Sequence, residues 1–239
     1  MPARTAPAKA SPAADEGHAP APGTLFEQVR SDILAGEFGA TAVLQEVPLA
    51  ERYKVSRTPV REALARLEHE GLVEKAGRGY RVRSGTPEDV LEVYEARIVL
   101  EGQAAAGAAE RRGELDLARL DHLHAAVLAA HADLAESEPA GQEAADAERS
   151  THSAWHATIW RASHNRTIET LLQRLTAQLR IYDRGTRETA PDLEQTRDEH
   201  ERILAAIRDR RPEDARAAMI EHLTRAREVR LHRFGSETR

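Results

Sequence analysis

Val55-Ser56-Arg57-Thr58-Pro59-Val60-Arg61-Glu62-Ala63-Leu64 is the stretch on which the reading of this 239-residue chain turns. Val60, Leu64 and, one turn on, Leu67 recur at helical spacing, so the segment Ser56–Glu70 is a helix with those three facing inward. Pro59 falls in the first turn, where backbone N–H groups have no helical partner in any case. Arg57 and Arg61 are four apart and share a face opposite Leu64 and Leu67. Gly71 closes the helix.

Working outward, Leu25, Val29, Ile33 and Leu34 form one stripe of an earlier helix that ends at Gly36 and Gly39. A short helix fits Gln45–Arg52. Downstream, Leu72–Lys75, a Gly77-Arg78-Gly79 turn and Tyr80–Arg83 read as a β-hairpin. Three helices and a hairpin make a winged helix-turn-helix over residues 23–83. Residues 1–22 hold five Pro and eight Ala without periodicity and are expected to be a disordered tail. Residues 84–87 are a linker. From 88 to 235 no strand signal occurs, and helices are expected at about 88–110, 114–135, 142–162, 165–183, 191–209 and 212–233. The fold class is therefore mainly α: a winged helix-turn-helix followed by an all-α six-helix bundle.

Charge agrees with a division of labour. The chain carries a net −6, yet residues 24–83 sum to +1 and residues 84–239 to −7. Within 52–66, Arg52, Lys54, Arg57, Arg61 and Arg66 face Glu62 alone, a local +4. A compact basic element on an acidic body suits a site-specific DNA reader better than a general polyanion binder; a solvated helix face is the plain alternative. The chain has no cysteine, which excludes disulfides and thiolate chemistry and suits a cytoplasmic location. No apolar run is long enough for a membrane span.

Leu49–Leu64 together with Leu67-Glu68-His69-Glu70-Gly71-Leu72-Val73 resembles the N-terminal domain of the GntR family of bacterial transcription regulators. The helical remainder resembles the FCD ligand-binding domain of the FadR subfamily, and six helices point to its VanR-like branch. The resemblance implies a homodimeric regulator, most often a repressor, on a palindromic operator in double-stranded DNA. It makes Ser56, Arg57, Thr58 and Arg61 groove contacts, with Arg57 and Arg61 placed to donate to guanine O6 and N7. Arg52 and Lys54 would meet phosphates, and Arg78 the minor groove or backbone. Some relatives carry a further basic contact where Val47 stands here.

Histidines supply a second constellation. His152 and His156 are one helical turn apart and can chelate one ion. His200 and His222 each lie 11 residues from Arg211, the centre of the last hairpin. Eleven residues are about three helical turns, so antiparallel packing sets the two side by side. A single buried histidine is more simply a hydrogen-bonded core residue, but four at these spacings point to a divalent metal. The FCD resemblance links the pairs: members bind metal through an acidic residue and three histidines, and His152 stands where Asp is usual. An all-nitrogen set suits zinc first and nickel next. The resemblance further implies a small carboxylate effector, with Arg97 and Asn165 as effector-binding candidates; pairing of Arg97 with Glu101 and helix capping by Asn165 are the structural alternatives. His122, His124, His131 and His164 are expected at the surface or behind the ligands. A direct metal sensor and a histidine–metal enzyme remain the competing functions.

Overall fold

The computed structural model describes residues 22–39, 42–136, 142–182 and 190–237. The expected tail therefore lies outside the described residues, apart from Pro22, which opens α1 (Pro22–Ala35). The helix-turn-helix is α2 (Glu46–Tyr53) and α3 (Arg57–His69). Lys54, in the left-handed region at φ 55°, sends its N–H back to the last carbonyls of α2 and turns the chain toward α3. Ser56 is the extended residue that precedes α3.

The wing differs from a bare hairpin. β2 (Val73–Ala76) and β3 (Gly79–Val82) pair antiparallel as expected, but β1 (Val43–Leu44) adds to the outer side of β3, giving the order β1-β3-β2. Two residues are too short for an alternating pattern to declare itself; Leu44, 3% exposed, is the only residue of β1 in the core. Leu25, Val29, Ile33, Leu64, Leu67 and Leu72 fill that core.

Among the described residues six helices follow: α4 (Pro87–Arg111), α5 (Glu114–Glu136), α6 (Gln142–Ala162), α7 (Arg166–Tyr182), α8 (Ala190–Arg208) and α9 (Pro212–Glu237). One residue of the expected linker, Pro87, belongs to α4 and another caps it. Thr86 is its N-cap, accepting from the Asp89 N–H at 3.2 Å while its own N–H donates to Asp89 Oδ2 at 2.9 Å, and Pro87 follows at the first helical position. Helix α4 runs through the centre of the bundle, against α9, α7, α6 and α8. Its run Ala104–Ala109 is entirely small and buried, which lets neighbouring helices approach closely and explains how a chain with 4% aromatics fills a core. Arg112, just beyond α4, donates to the carbonyls of Ile207 (3.2 Å) and Arg208 (2.7 Å) and so caps α8.

The two parts share a core. Ala177 and Ile181 of α7 are buried among the winged-helix residues, and Gln178 Nε2 donates to the Glu70 carbonyl at 2.9 Å. Glu70 is the C-cap of α3, so the far end of that helix rests on α7. Gly71 at φ +74° makes this possible: a Cβ there would overlap the Gln178 amide. Gly77 in the wing also has positive φ, +58°, but open space around it. Gly77→Ala is therefore expected to cost only backbone strain, about 1 kcal/mol. Gly71→Ala adds the loss of the Gln178 hydrogen bond, roughly another 1 kcal/mol. Chemical denaturation of the two variants checks the order.

Candidate metal centre and nucleic-acid interface

His152 and His156 project from α6, His200 from α8 and His222 from α9. One ligand nitrogen from each can be chosen so that all four lie within 4.8 Å of one another. Three are buried and His152 is partly exposed. His200 and His222, set side by side by the hairpin, have ring centroids 4.9 Å apart. The His200 ring is stacked on Trp155 at 4.0 Å and on His152 at 4.9 Å.

The donor set fits a dication on observations independent of any family. His152 Nε2 and His200 Nε2 face each other at 3.2 Å, and two nitrogens on one tetrahedral zinc at bond lengths of about 2.0–2.1 Å stand about 3.3 Å apart. His156 Nε2 is buried and has no partner. Its Nδ1 lies 2.6 Å from Glu101 Oε2, and His222 Nδ1 lies 2.8 Å from Glu199 Oε2. When an imidazole donates Nδ1–H to a carboxylate, its Nε2 lone pair is left for a metal. Burial among like neighbours drives His152 and His200 well below the usual histidine range, so both rings are in the neutral form that coordinates.

Glu101 is 0% exposed. Burial alone would raise its carboxyl, but Arg97, His156 and Trp160 together hold it well below the ordinary carboxylate range. Arg97 Nε donates to Oε1 at 2.8 Å and Trp160 Nε1 to Oε2 at 3.0 Å. Arg97 thus finds its anion within the chain, the pairing with Glu101 that its spacing allowed. Glu199 is held similarly by Arg225, at 2.6 and 2.9 Å. Asn165 Oδ1 accepts from the Ile168 N–H at 3.2 Å and caps α7. On α5, His124 and His131 are buried and contact Glu201 (2.9 Å) and Glu148 (3.2 Å); His122 and His164 are exposed. The sequence reading missed Glu199 altogether and saw Glu101 only as a partner for Arg97. Neither shares a local pattern with the histidine it orients, because each pair joins different helices.

At the other end of the molecule, Ser56, Arg57, Thr58 and Arg61 are all exposed at the start of α3, and Arg78 is exposed at the tip of the wing. Arg52 is exposed as well; it donates to Asp32 at 3.0 Å and covers the Phe38 ring at 4.7 Å. Glu46, also unmarked in the sequence reading, reaches across from α2 to both recognition-helix arginines.

Residues 23–82 match the description "Bacterial regulatory proteins, gntR family", and residues 92–225, more than half of the chain, match the FCD domain. The chain belongs to the GntR family. HTH-type transcriptional regulator LutR of Bacillus subtilis is 32% identical over 76% of this chain and 87% of its own. HTH-type transcriptional repressor GlaR of Escherichia coli is 29% identical, covering 83% and 90%. In fold, this GntR chain is similar to E. coli McbR/YncC, with TM-score 0.70, 21% identity, and 89% and 98% covered. A GntR regulator from Rhodococcus sp. RHA1 follows at TM-score 0.67 and 23% identity, with 88% and 97% covered. This GntR-family, FadR-like protein is a DNA-binding transcriptional regulator, and the relatives' names set the histidine–metal enzyme aside. No helix among the described residues is long and apolar enough to cross a membrane.

Replacing Glu101 by Leu leaves Arg97 buried without an anion, and the expected cost is about 3–5 kcal/mol of stability. Glu201→Leu, at an exposed carboxylate, is expected to cost less than about 1 kcal/mol. Chemical denaturation of the two variants measures the difference.

Proposed function

We propose that this protein is a cytoplasmic, homodimeric repressor whose operator affinity is controlled by a small carboxylate bound at a divalent metal site in the helical domain. The observation that carries the reading is the cluster of His152, His156, His200 and His222 inside a regulator, with carboxylates behind two of them. These four histidines hold the ion, zinc by first preference and nickel by second, since the set is all nitrogen. A bound dication supplies positive charge for an effector carboxylate. That charge stays uncompensated because each carboxylate behind the ligands is already balanced by an arginine, Glu101 by Arg97 and Glu199 by Arg225. His152, the partly exposed ligand, marks the side from which an effector can approach. Arg97 and Asn165 complete the effector-binding set, Arg97 through the donors that Glu101 does not use.

In the DNA-binding half, the two copies of α3 read a palindromic operator in successive major grooves. Arg57 and Arg61 contact bases, Ser56 and Thr58 line the groove, and Arg52 and Arg78 touch backbone or minor groove. Effector binding weakens DNA affinity only insofar as the two dimer geometries bind the effector unequally. A direct metal sensor is the second reading, and it is favoured by one observation: Arg97 is already neutralised by Glu101.

A thermal-shift screen of the purified protein against small carboxylates, with metal bound and after chelation, tests the proposal. The expected result is a rise in Tm for one chemical class that disappears on chelation. No hit, with a large drop in Tm on chelation alone, turns the assignment to the metal sensor. The two halves are separable by substitution. Arg61→Ala weakens operator binding by about tenfold or more and leaves effector binding intact; His200→Ala does the opposite. Loss of both activities in both variants, read by fluorescence anisotropy and calorimetry, sinks the division of labour. Glu199→Gln, which removes the charge behind His222, is expected to lower metal affinity by about tenfold.

A further inference from the structure

The first acidic side chain of α2, Glu46, holds both exposed arginines of the first turns of α3. Arg57 reaches Glu46 Oε2 from Nε at 3.3 Å and from Nη2 at 3.0 Å. Arg61 spans the carboxylate, Nε to Oε1 at 2.8 Å and Nη2 to Oε2 at 2.9 Å. The two guanidinium groups, each more than 60% exposed, therefore share one anion. The arginines hold the Glu46 carboxyl down to about 2, so it stays ionised at any pH at which the protein works.

This arrangement has three consequences for reading DNA. The Nε–Nη2 edge of each guanidinium is occupied, and the Nη1–Nη2 end is left to donate. End-on donation of two parallel N–H groups is one of the geometries that match O6 and N7 of guanine. Both long side chains are also restrained before DNA arrives, so less rotamer freedom remains to be lost on binding. The carboxylate further reduces the charge of the pair from +2 to +1. A less positive, pre-aimed pair gains less from phosphates, which carry no sequence information, and keeps its gain from base edges, which do.

We propose that Glu46 is a specificity-determining residue, a positioning carboxylate that aims Arg57 and Arg61 at base edges and withholds them from the phosphate backbone. The proposal rests on the assignment of those arginines as base readers. Its test uses the full-length protein and two probes: the duplex that the wild-type protein enriches from a randomised pool, and a random-sequence duplex of equal length. Glu46→Ala is expected to bind the random duplex about threefold more tightly, with a steeper dependence on salt concentration. Its preference for the enriched duplex falls by about tenfold. Glu46→Gln keeps one acceptor oxygen without the charge; it gains on random DNA but loses less of the preference. It also decides the question if Glu46→Ala lowers Tm.

A preference and a salt slope for both variants equal to wild type overturn the proposal. Arg61→Ala, measured in parallel, separates the two ways of failing. If Arg61→Ala loses the preference while the Glu46 variants keep it, the base readers stand and the role of Glu46 falls. If Arg61→Ala also keeps it, or the wild-type protein enriches no sequence, the base-reader assignment falls and takes the proposal with it.

Discussion

A carboxylate sealed from water is among the least favourable things a fold can contain, and Glu101 is one. It is tolerated because every direction from which water would approach is taken by a donor: Arg97 from its own helix, His156 and Trp160 from α6. Those bonds fix α4 against α6 at one rotation and one height. Because α4 is the helix on which α6, α7, α8 and α9 all pack, the position of Glu101 bears on each of those four. It also settles the orientation of one metal-ligand candidate, since the His156 ring cannot turn without breaking a 2.6 Å hydrogen bond to a buried anion. His222 is fixed in the same manner by Glu199 and Arg225, between α8 and α9. The histidine cluster is thus held from behind by two ion pairs, and its preorganisation is a property of the bundle rather than of any one helix.

The same contacts give a continuous path of packed residues between the two ends of the molecule. Trp160, bonded to Glu101, accepts the Ser163 hydroxyl at its carbonyl, and that hydroxyl oxygen in turn accepts the N–H of Asn165, the cap of α7. Helix α7 spans 17 residues, about 25 Å of rise. Its far end places Ala177, Gln178 and Ile181 against the winged helix, at the residue that caps the recognition helix. Contiguity is not coupling: a signal passes only if α7 has two discrete positions that the ends favour unequally. What the packing does establish is that α7 touches both regions: Ile168 and Leu172 share a core cluster with Trp160, the partner of Glu101, and Ala177 and Ile181 lie in the core of the winged helix.

Much of this was readable in the residues. Val60, Leu64 and Leu67 oriented the recognition helix, and the equal distances of His200 and His222 from Arg211 set those two side by side. Both are questions of period, which sequence states directly. The helix boundaries at Gly113 and Pro212 fell where the apolar pattern divided, although α4 begins in what read as linker; the expected break at 139–141 lies outside the described residues. β1 was invisible because two residues have no period. Glu46, Glu101 and Glu199 were overlooked as site residues for another reason. A charged residue 11 or 15 positions from its partner, or on another helix entirely, leaves no periodic trace. Tertiary ion pairs become legible only once the helices are placed, and in this chain those pairs orient the side chains that sequence had already singled out.

Both candidate sites follow one principle. At each, cationic or nitrogen-donor side chains are clustered, and a carboxylate behind some of them sets their direction. The environments set the strength. Glu46 is partly solvated, so its hold on Arg57 and Arg61 is screened, and the guanidinium ends remain free to trade partners. Glu101 is buried in a medium of low polarisability, and Arg97 and His156 cannot leave it without stranding a charge. Contacts that must be exchanged readily suit the first kind of hold; a cluster that must keep its geometry suits the second. The chain supplies each with the same chemistry, glutamate behind arginine or histidine, and differentiates them by depth alone.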